Sequence, residues 1–202
     1  MDGFRIAKLD DMLNAIGEEK VNAILASYSC PLNADIEDFL HHKAVVFSRQ
    51  GLAKTHLVFA GYKQQVVLVG YFALAHKTFF IRRSPKLSAK MRSRLQKFAR
   101  PIRDMDGYEI AAPLIAQLGK NYTDGYNRLI SGDELLKMAC DKVMDIQSLM
   151  GGKIVYLECE DKSALTSFYE RNGFVEFDKR PLEKADREIF KADHLIQMLR
   201  YF

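Results

Sequence analysis

The chain has 202 residues, of which 48% are hydrophobic and 28% are charged, and its formal net charge is +4. This length and composition indicate one globular domain able to bury a full core, and they exclude a disordered or low-complexity protein. Apolar runs such as Val66–Val69 are far shorter than the ~18 residues that a membrane-spanning helix needs. The first residues lack the apolar core of a signal peptide, and the three cysteines lack redox or metal-ligand spacing. We therefore expect a single cytoplasmic domain over residues 1–202.

The first half of the chain predicts helices followed by strands. Hydrophobic spacing and strand-forming residue types place helices at about 9–27 and 33–50, and strands at 54–62, 66–75 and 78–81. A polar turn at residues 63–65 joins the first two strands. We therefore expect these strands to form an antiparallel hairpin.

A basic segment follows at about 82–103. It contains nine Lys and Arg residues and no Asp or Glu. Subtracting these charges from the formal +4 leaves −5 for the rest of the chain, so the positive charge is local. From Ser84-Pro85 to about Ala99 the segment predicts an amphipathic helix with a basic outer face. The face is either simply solvated or attracts an anionic partner, such as the phosphates of coenzyme A or a tRNA.

The second half alternates strands and helices. The pattern predicts a strand at 108–119, a helix from Ser131 to Gly151, a strand at 153–157, a short helix that Gly173 ends, and strands near Val175 and Leu195. Together with the hairpin, these elements predict an α/β fold. Its central sheet is mixed and mainly antiparallel, with helices on both faces.

The helix that begins at Ser131 has the sequence of a capping box. Ser131 can cap the helix while the Glu134 side chain reaches back to the Ser131 N–H. The free N–H groups of such a helix start, beside the ends of parallel strands, are where anionic cofactors bind. Asp133 and Glu134 oppose a bound diphosphate if their side chains point at it, although helix geometry can turn both away.

The sequence around this helix start resembles the acetyl-coenzyme A signature of the GNAT superfamily of N-acetyltransferases. Residues 126–136 line up without gaps on that signature, a Gln/Arg-x-x-Gly-x-Gly/Ala loop that opens a helix. Gly132 is retained. Asn127 stands where Gln or Arg is usual, and Ile130 stands where the first Gly is usual.

A second motif downstream resembles the same family. Phe168-Tyr169, followed after three residues by Gly173-Phe174, is similar to the family's Phe-Tyr-x-x-x-Gly-Phe motif. It lies at the expected distance from the first motif, beyond one helix and one strand. The resemblance implies a GNAT-like fold in which a central strand pair splays apart.

The resemblance implies acetyl-coenzyme A as co-substrate. In the family, the pantetheine arm pairs with the backbone at the end of the central strand, which here gives Leu118, Gly119 and Lys120. The diphosphate lies against the loop into the helix, for which the alignment gives Asn127, Arg128, Leu129, Ile130, Ser131, Gly132 and Asp133. The histidines and cysteines show no metal-ligand spacing, so we expect no metal.

The resemblance also implies direct attack of an amine on the thioester. Tyr169 would protonate the leaving thiolate, because a phenol with a pKa of about 10 stays protonated at neutral pH. A base or a water relay must take the proton of the incoming ammonium. Glu158 and Glu160, after the strand at 153–157, and Glu109 are the candidates, and the sequence does not choose among them.

The N-terminal half carries a third resemblance. Ser29–Leu40, followed by Lys43-Ala44, is similar to the opening helix of a GNAT branch that includes acetyltransferase toxins of toxin-antitoxin systems. Three functions remain open: acetylation of a primary amine, toxin-like acetylation of aminoacyl-tRNA bound through the basic segment, and a non-catalytic acyl-CoA-binding or protein-interaction module. The acceptor is a small-molecule or macromolecular amine. We expect no membrane partner, and a homodimer remains open.

Overall fold

The computed structural model describes residues 3–82, 86–102, 106–182 and 193–202. In chain order its elements are β1 Phe4–Lys8, α1 Leu9–Ile16, α2 Glu18–Ala26, α3 Ala34–Asp38, a π-helical turn Phe39–Lys43, α4 Ala44–Gln50, β2 Lys54–Tyr62, β3 Gln65–Arg82, α5 Ala89–Gln96, β4 Arg100–Ile102, β5 Gly107–Lys120, a 3₁₀ turn Thr123–Arg128, α6 Gly132–Met150, β6 Ile154–Glu160, α7 Ser163–Arg171, β7 Val175–Pro181 and β8 His194–Tyr201.

The described strands form one eight-stranded sheet. Hydrogen bonds connect them in the order β1-β2-β3-β5-β6-β8-β7, and β4 pairs with β5. Strands β5 and β6 pair in parallel, at Leu114 with Tyr156 and at Ile115 with Leu157. The pairs β1–β2, β2–β3, β4–β5, β6–β8 and β7–β8 are antiparallel. The predicted α/β fold with a mixed, mainly antiparallel sheet is confirmed, as is the hairpin β2–β3.

The chain divides into two compact units. The first unit contains Met1–Ala75 and Ala116–Asp141, and the second unit contains His76–Ile115 and Lys142–Phe202. The single domain expected over residues 1–202 stays a prediction. Among the helices of the described ranges, none has an apolar stretch long enough to cross a membrane.

In the first unit, helices and the hairpin β2–β3 share an apolar core. Tyr71 of β3 is fully buried there. Its ring packs edge-on against Tyr28 at a centroid distance of 5.2 Å and is stacked with Phe39 at 6.3 Å. Its hydroxyl donates a hydrogen bond to the Ile36 carbonyl at 2.6 Å, so this polar atom is satisfied inside the core. The surrounding apolar residues include Leu9, Val21, Leu25, Leu40 and Leu57.

The helix predicted over 9–27 is two helices, because Gly17 interrupts it. Gly17 has φ +82°, a left-handed conformation that glycine adopts without steric cost. Its N–H donates to the Leu13 carbonyl at 3.2 Å, where α1 ends. The helix predicted over 33–50 is divided as well, into α3, the π-helical turn and α4.

Within the described part of the basic segment, α5 is shorter than the helix predicted from Ser84-Pro85 to about Ala99, which is a correction. Ser88 caps α5 by accepting a hydrogen bond from the Met91 N–H at 3.1 Å. Pro101 disfavours a helical conformation at the residue before it, and the chain enters β4 at Arg100. The part of the prediction that rests on Arg83, Ser84, Pro85 and Arg103 lies outside the described residues.

Two strands have no counterpart in the sequence prediction, and one predicted strand is not separate. Strand β1 lies at the edge of the sheet and is partly exposed, so it lacks a strong apolar alternation. Strand β4 has three residues and contains Pro101. The strand expected at 78–81 is the end of β3, which runs for 18 residues.

In the second unit, aromatic rings support the strands β6, β7 and β8. Phe79, near the end of β3, packs against Tyr156 at 4.1 Å and against Phe177 at 5.3 Å between ring centroids. Such contacts add to the area that the rings bury. They fix β6, the strand that carries the predicted base Glu158.

Candidate active site

The end of β5 is held by the buried side chain of Asn121, which is 0% exposed. Its Oδ1 accepts hydrogen bonds from the Ser29 N–H at 3.0 Å and the Thr123 N–H at 3.1 Å. Its Nδ2 donates to the Leu68 carbonyl at 2.9 Å and the Ser27 carbonyl at 3.3 Å. One amide therefore connects β5, β3 and the loop after α2.

The residues predicted to pair with pantetheine, Leu118 to Lys120, are the last three of β5. Gly119 is buried, and Leu118 and Lys120 are partly exposed. A side chain at Gly119 would overlap the Tyr28 hydroxyl and the Ile36 side chain. The glycine therefore lets the loop after α2 lie directly against the backbone of β5.

The predicted capping box at the start of α6 is confirmed. The Ser131 Oγ accepts a hydrogen bond from the Glu134 N–H at 3.1 Å. The Glu134 carboxylate accepts from the Ser131 N–H at 2.8 Å and from the Ser131 hydroxyl at 2.7 Å. These hydrogen bonds hold the pKa of Glu134 below its usual value. The Glu134 carboxylate thus uses the Ser131 N–H, one of the backbone donors at the start of α6.

The rest of the predicted diphosphate loop contains one buried apolar side chain, that of Ile130, and polar groups at Asn127, Arg128 and Gly132. The Ile130 side chain is 2% exposed, so it packs inside the first unit instead of projecting into solvent. The Gly132 N–H has no hydrogen-bond partner among the described residues. Arg128 is exposed, and the Lys120 Nζ donates to the Asn127 carbonyl at 3.1 Å. Two cations therefore flank this loop.

Tyr169 lies in the last turns of α7, which ends in a Schellman motif. The Phe174 N–H donates to the Tyr169 carbonyl at 3.1 Å, and the Gly173 N–H donates to the Glu170 carbonyl at 2.9 Å. Gly173 has φ +83°, the left-handed conformation that this motif requires. The rings of Tyr169 and Phe174 contact each other at 5.8 Å between centroids.

The Tyr169 side chain is 9% exposed. Burial raises the pKa of Tyr169 above its usual value, and the Cys159 thiol adds to this. Among the described residues, two buried side-chain oxygens lack a hydrogen-bond partner, those of Tyr28 and Thr55. The Tyr169 hydroxyl does not belong to this group of buried, unpaired oxygens. Burial also raises the pKa of Cys159, to about 12, which opposes a role as nucleophile.

Glu158 and Glu160 lie within β6, not after it as predicted. The Glu158 carboxylate accepts hydrogen bonds from Arg180 Nε at 2.9 Å and 3.0 Å and from Gln197 Nε2 at 2.8 Å. Side chains alternate along a strand, so Glu158 and Cys159 lie on opposite faces of β6. Cys159 is the residue whose thiol adds to the raised pKa of Tyr169. The structure does not bring Glu158 and Tyr169 together on one face of β6.

The remaining candidate bases and metal ligands are dispersed. Glu160 forms an ion pair with Lys162, and Glu109 lies opposite Arg100 in the β4–β5 pair. Within the ranges that the structure describes, no three His, Cys, Asp or Glu residues are placed to hold a metal ion.

The basic surface on α5 and its flanks contains cations with and without partners. Lys86 pairs with Glu176, and the Arg94 guanidinium stacks 5.0 Å from the centre of the Tyr201 ring. The side chains of Lys90, Lys97 and Arg100 have no ion-pair or hydrogen-bond partner among the described residues. In the described part of this surface, at least these three charges are therefore not neutralised by a carboxylate.

Sequence comparisons find no matching family model and no matching curated protein. The fold matches solved structures. A tyrosine-to-phenylalanine mutant of KacT is 13% identical with a TM-score of 0.62, covering 96% of this chain and 94% of that chain. AtaT complexed with acetyl-methionyl-tRNAfMet is 16% identical with a TM-score of 0.61, covering 96% and 93%. AtaTR bound with acetyl-coenzyme A is 15% identical with a TM-score of 0.55, covering 100% and 94%. The chain therefore shares its fold with KacT and AtaT.

Proposed function

We propose that the protein is an N-acetyltransferase that moves the acetyl group of acetyl-coenzyme A to a primary amine. The observation that carries the proposal is the capped start of α6, which follows β5 after a 3₁₀ turn, in a fold shared with AtaTR, which has been solved with acetyl-coenzyme A bound. In this proposal, the backbone of Leu118 to Lys120 pairs with pantetheine. The loop from Asn127 to Asp133 holds the diphosphate, because the helix dipole and the free Gly132 N–H favour negative charge there.

The proposed reaction needs one attack and two proton movements. The neutral amine attacks the acetyl carbonyl carbon, and the electron pair of the C=O bond moves to oxygen. The nitrogen of the tetrahedral intermediate loses one proton to the base or to water, and collapse of the intermediate forms the amide and expels the thiolate of coenzyme A. The Tyr169 hydroxyl gives its proton to that sulfur. Because its pKa is raised, Tyr169 is protonated throughout the neutral range.

The base stays a prediction with Glu158 as first candidate. Both of its oxygens already accept hydrogen bonds from Arg180 or Gln197. An incoming ammonium would have to share an oxygen with these donors or reach Glu158 through a water molecule. Glu160 and Glu109 remain the alternatives.

Glu134→Gln is expected to tighten coenzyme A binding about fivefold, since it removes a negative charge from the turn that receives the diphosphate. Glutamine at this position still closes a capping box, so the helix start is retained. The lowered pKa of Glu134 gives the sign of the pH dependence. The carboxylate is charged at neutral pH, and its repulsion disappears as the pH falls through that lowered pKa.

Calorimetric titration at low salt measures this change. Glu19→Gln, at an exposed glutamate in the first turn of α2, is the matched control and should leave binding unchanged. Equal or weaker binding to Glu134→Gln would show that the diphosphate does not lie at this turn.

A tRNA that carries an aminoacyl group is the acceptor with a specific observation in its favour. AtaT, which has the same fold, has been solved in complex with acetyl-methionyl-tRNAfMet. Lys90, Lys97 and Arg100 offer unneutralised charge to a phosphate backbone. We propose a cytoplasmic location for this reaction, because acetyl-coenzyme A and aminoacyl-tRNA are both present in the cytoplasm.

Reversing two of these charges, Lys90→Glu with Lys97→Glu, is expected to weaken tRNA binding about tenfold or more at low salt. Each lost phosphate contact also lowers the slope of log K against log salt by about 0.9. Arg94 is left in place because it stacks on Tyr201. Lys20→Glu, at an exposed lysine of α2, is the control. Binding that is insensitive to the double reversal would remove this surface from the proposal.

Release of coenzyme A thiol, measured with a panel of amines that includes aminoacyl-tRNA, tests the proposed activity. The enzyme is expected to release thiol with at least one amine. Tight coenzyme A binding without thiol release from any amine would favour the non-catalytic acyl-CoA-binding module instead.

A further inference from the structure

We infer that the side-chain ammonium of Lys120 is a principal ligand of the coenzyme A diphosphate, an inference that rests on the proposed function. Lys120 is the last residue of β5, and its Nζ donates to the Asn127 carbonyl at 3.1 Å. Asn127 is the first residue of the loop that leads into α6. The ammonium is therefore tethered at the place where the diphosphate is proposed to bind.

The charge on Lys120 has no counter-ion in the protein. Among the described residues, no carboxylate forms an ion pair with it, and its one hydrogen bond goes to a neutral carbonyl. The side chain is partly buried. A partly desolvated ammonium with unused donors binds a doubly charged diphosphate more strongly than a fully solvated one does, because less water must be displaced.

The loop from Asn127 to Asp133 offers few positive groups to a diphosphate. A lysine side chain from outside the loop can supply the missing charge. The Ser131 N–H is already bound to the Glu134 carboxylate at 2.8 Å. Asn127 stands where the resembled signature has Gln or Arg, and its short, neutral side chain adds no positive charge to the loop. The remaining cation of the loop, Arg128, is exposed. Ordering a free arginine costs more conformational entropy than using a tethered lysine.

Lys120→Met tests this assignment by removing the charge and keeping a flexible chain of similar length. Its Kd for coenzyme A, measured by calorimetry at low salt, is expected to rise about tenfold, while Lys120→Arg stays near the wild-type value. S-acetylpantetheine lacks the diphosphate. Its Kd, measured in the same way, should therefore rise much less in Lys120→Met than the Kd of coenzyme A does. Lys137→Met, at an exposed lysine paired with Asp141, is the control.

Two results would overturn the inference. One is an unchanged Kd for coenzyme A in Lys120→Met. The other is an equal loss with S-acetylpantetheine, which would mean that the variant distorts β5 instead of removing a phosphate contact. A wild-type protein that binds coenzyme A but transfers no acetyl group rejects the proposed function and leaves the Kd comparison valid, so the two failures are distinguishable.

Discussion

Tyr169→Phe is expected to lower turnover by about 100-fold or more while coenzyme A binding stays unchanged. The substitution removes only the hydroxyl. The ring contacts with Phe168 and Phe174, and the backbone bonds that end α7, do not involve that oxygen. The loss therefore reports the proton that Tyr169 gives to the departing sulfur.

The pH dependence of turnover separates a role of Tyr169 as proton donor from a purely structural role. Because burial raises its pKa, Tyr169 keeps its proton in alkaline buffers where an ordinary tyrosine would begin to lose it. Wild-type turnover should rise with pH as the amine substrate loses its proton, without a decline near pH 10. Full turnover in Tyr169→Phe at every pH would remove the acid role and leave cofactor binding in place.

Asn121→Ala is expected to lower the free energy of unfolding by about 3 kcal/mol, among the larger effects of single substitutions. It deletes four side-chain hydrogen bonds and leaves the part-buried Ser29 N–H and the buried Leu68 carbonyl without those partners. Coenzyme A affinity should fall as well, because the same amide fixes the end of β5. Urea unfolding and calorimetry measure the two effects.

Asn14→Ala, at an exposed asparagine of α1, is the matched control and should change stability by less than about 0.5 kcal/mol. Asn121→Asp keeps the acceptor oxygen for the two N–H groups but loses both donors. It should therefore also destabilise the protein. If Asn121→Ala unfolded at the same urea concentration as Asn14→Ala, the connection through Asn121 would be energetically unimportant.

The parts of the site that could be predicted from sequence are local. Ser131 and Glu134 are three residues apart, and helix geometry alone brings their side chains to each other's backbone N–H groups. The Phe-Tyr motif is local too, since Gly173 and Phe174 form the Schellman motif that ends α7. The capping geometry accounts for the Tyr169 carbonyl, Gly173 and Phe174, but not for the Tyr169 hydroxyl. The Phe-Tyr motif by itself therefore predicts the end of α7. The role of the Tyr169 hydroxyl as a proton donor needs a separate test.

The parts that could not be predicted depend on contacts between residues far apart in sequence. Asn121 bonds Ser29, 92 residues away, and only its bond to Thr123 is local enough to be expected of an asparagine after a strand. Glu158 meets Arg180 and Gln197 only once β6, β7 and β8 are side by side. Sequence spacing carries no information on such pairs.

The helix bounds differ from the prediction where one residue overrides the periodicity. Gly17 falls inside a hydrophobic pattern that continues on both sides of it, yet its left-handed conformation ends α1. In the basic segment, α5 ends at Gln96 instead of near Ala99, and Pro101 favours the extended conformation of Arg100, where β4 begins.

The most direct test of the proposed activity uses acetyl-coenzyme A with an isotopic label in the acetyl group, incubated with the protein, small amines and aminoacyl-tRNA. Labelled amide and free coenzyme A thiol are measured in the same samples. We expect the two products in equal amounts with one class of amine, and both signals lost together in Tyr169→Phe. Binding of coenzyme A with no labelled amide above the enzyme-free rate, for any acceptor, would contradict the proposed transfer.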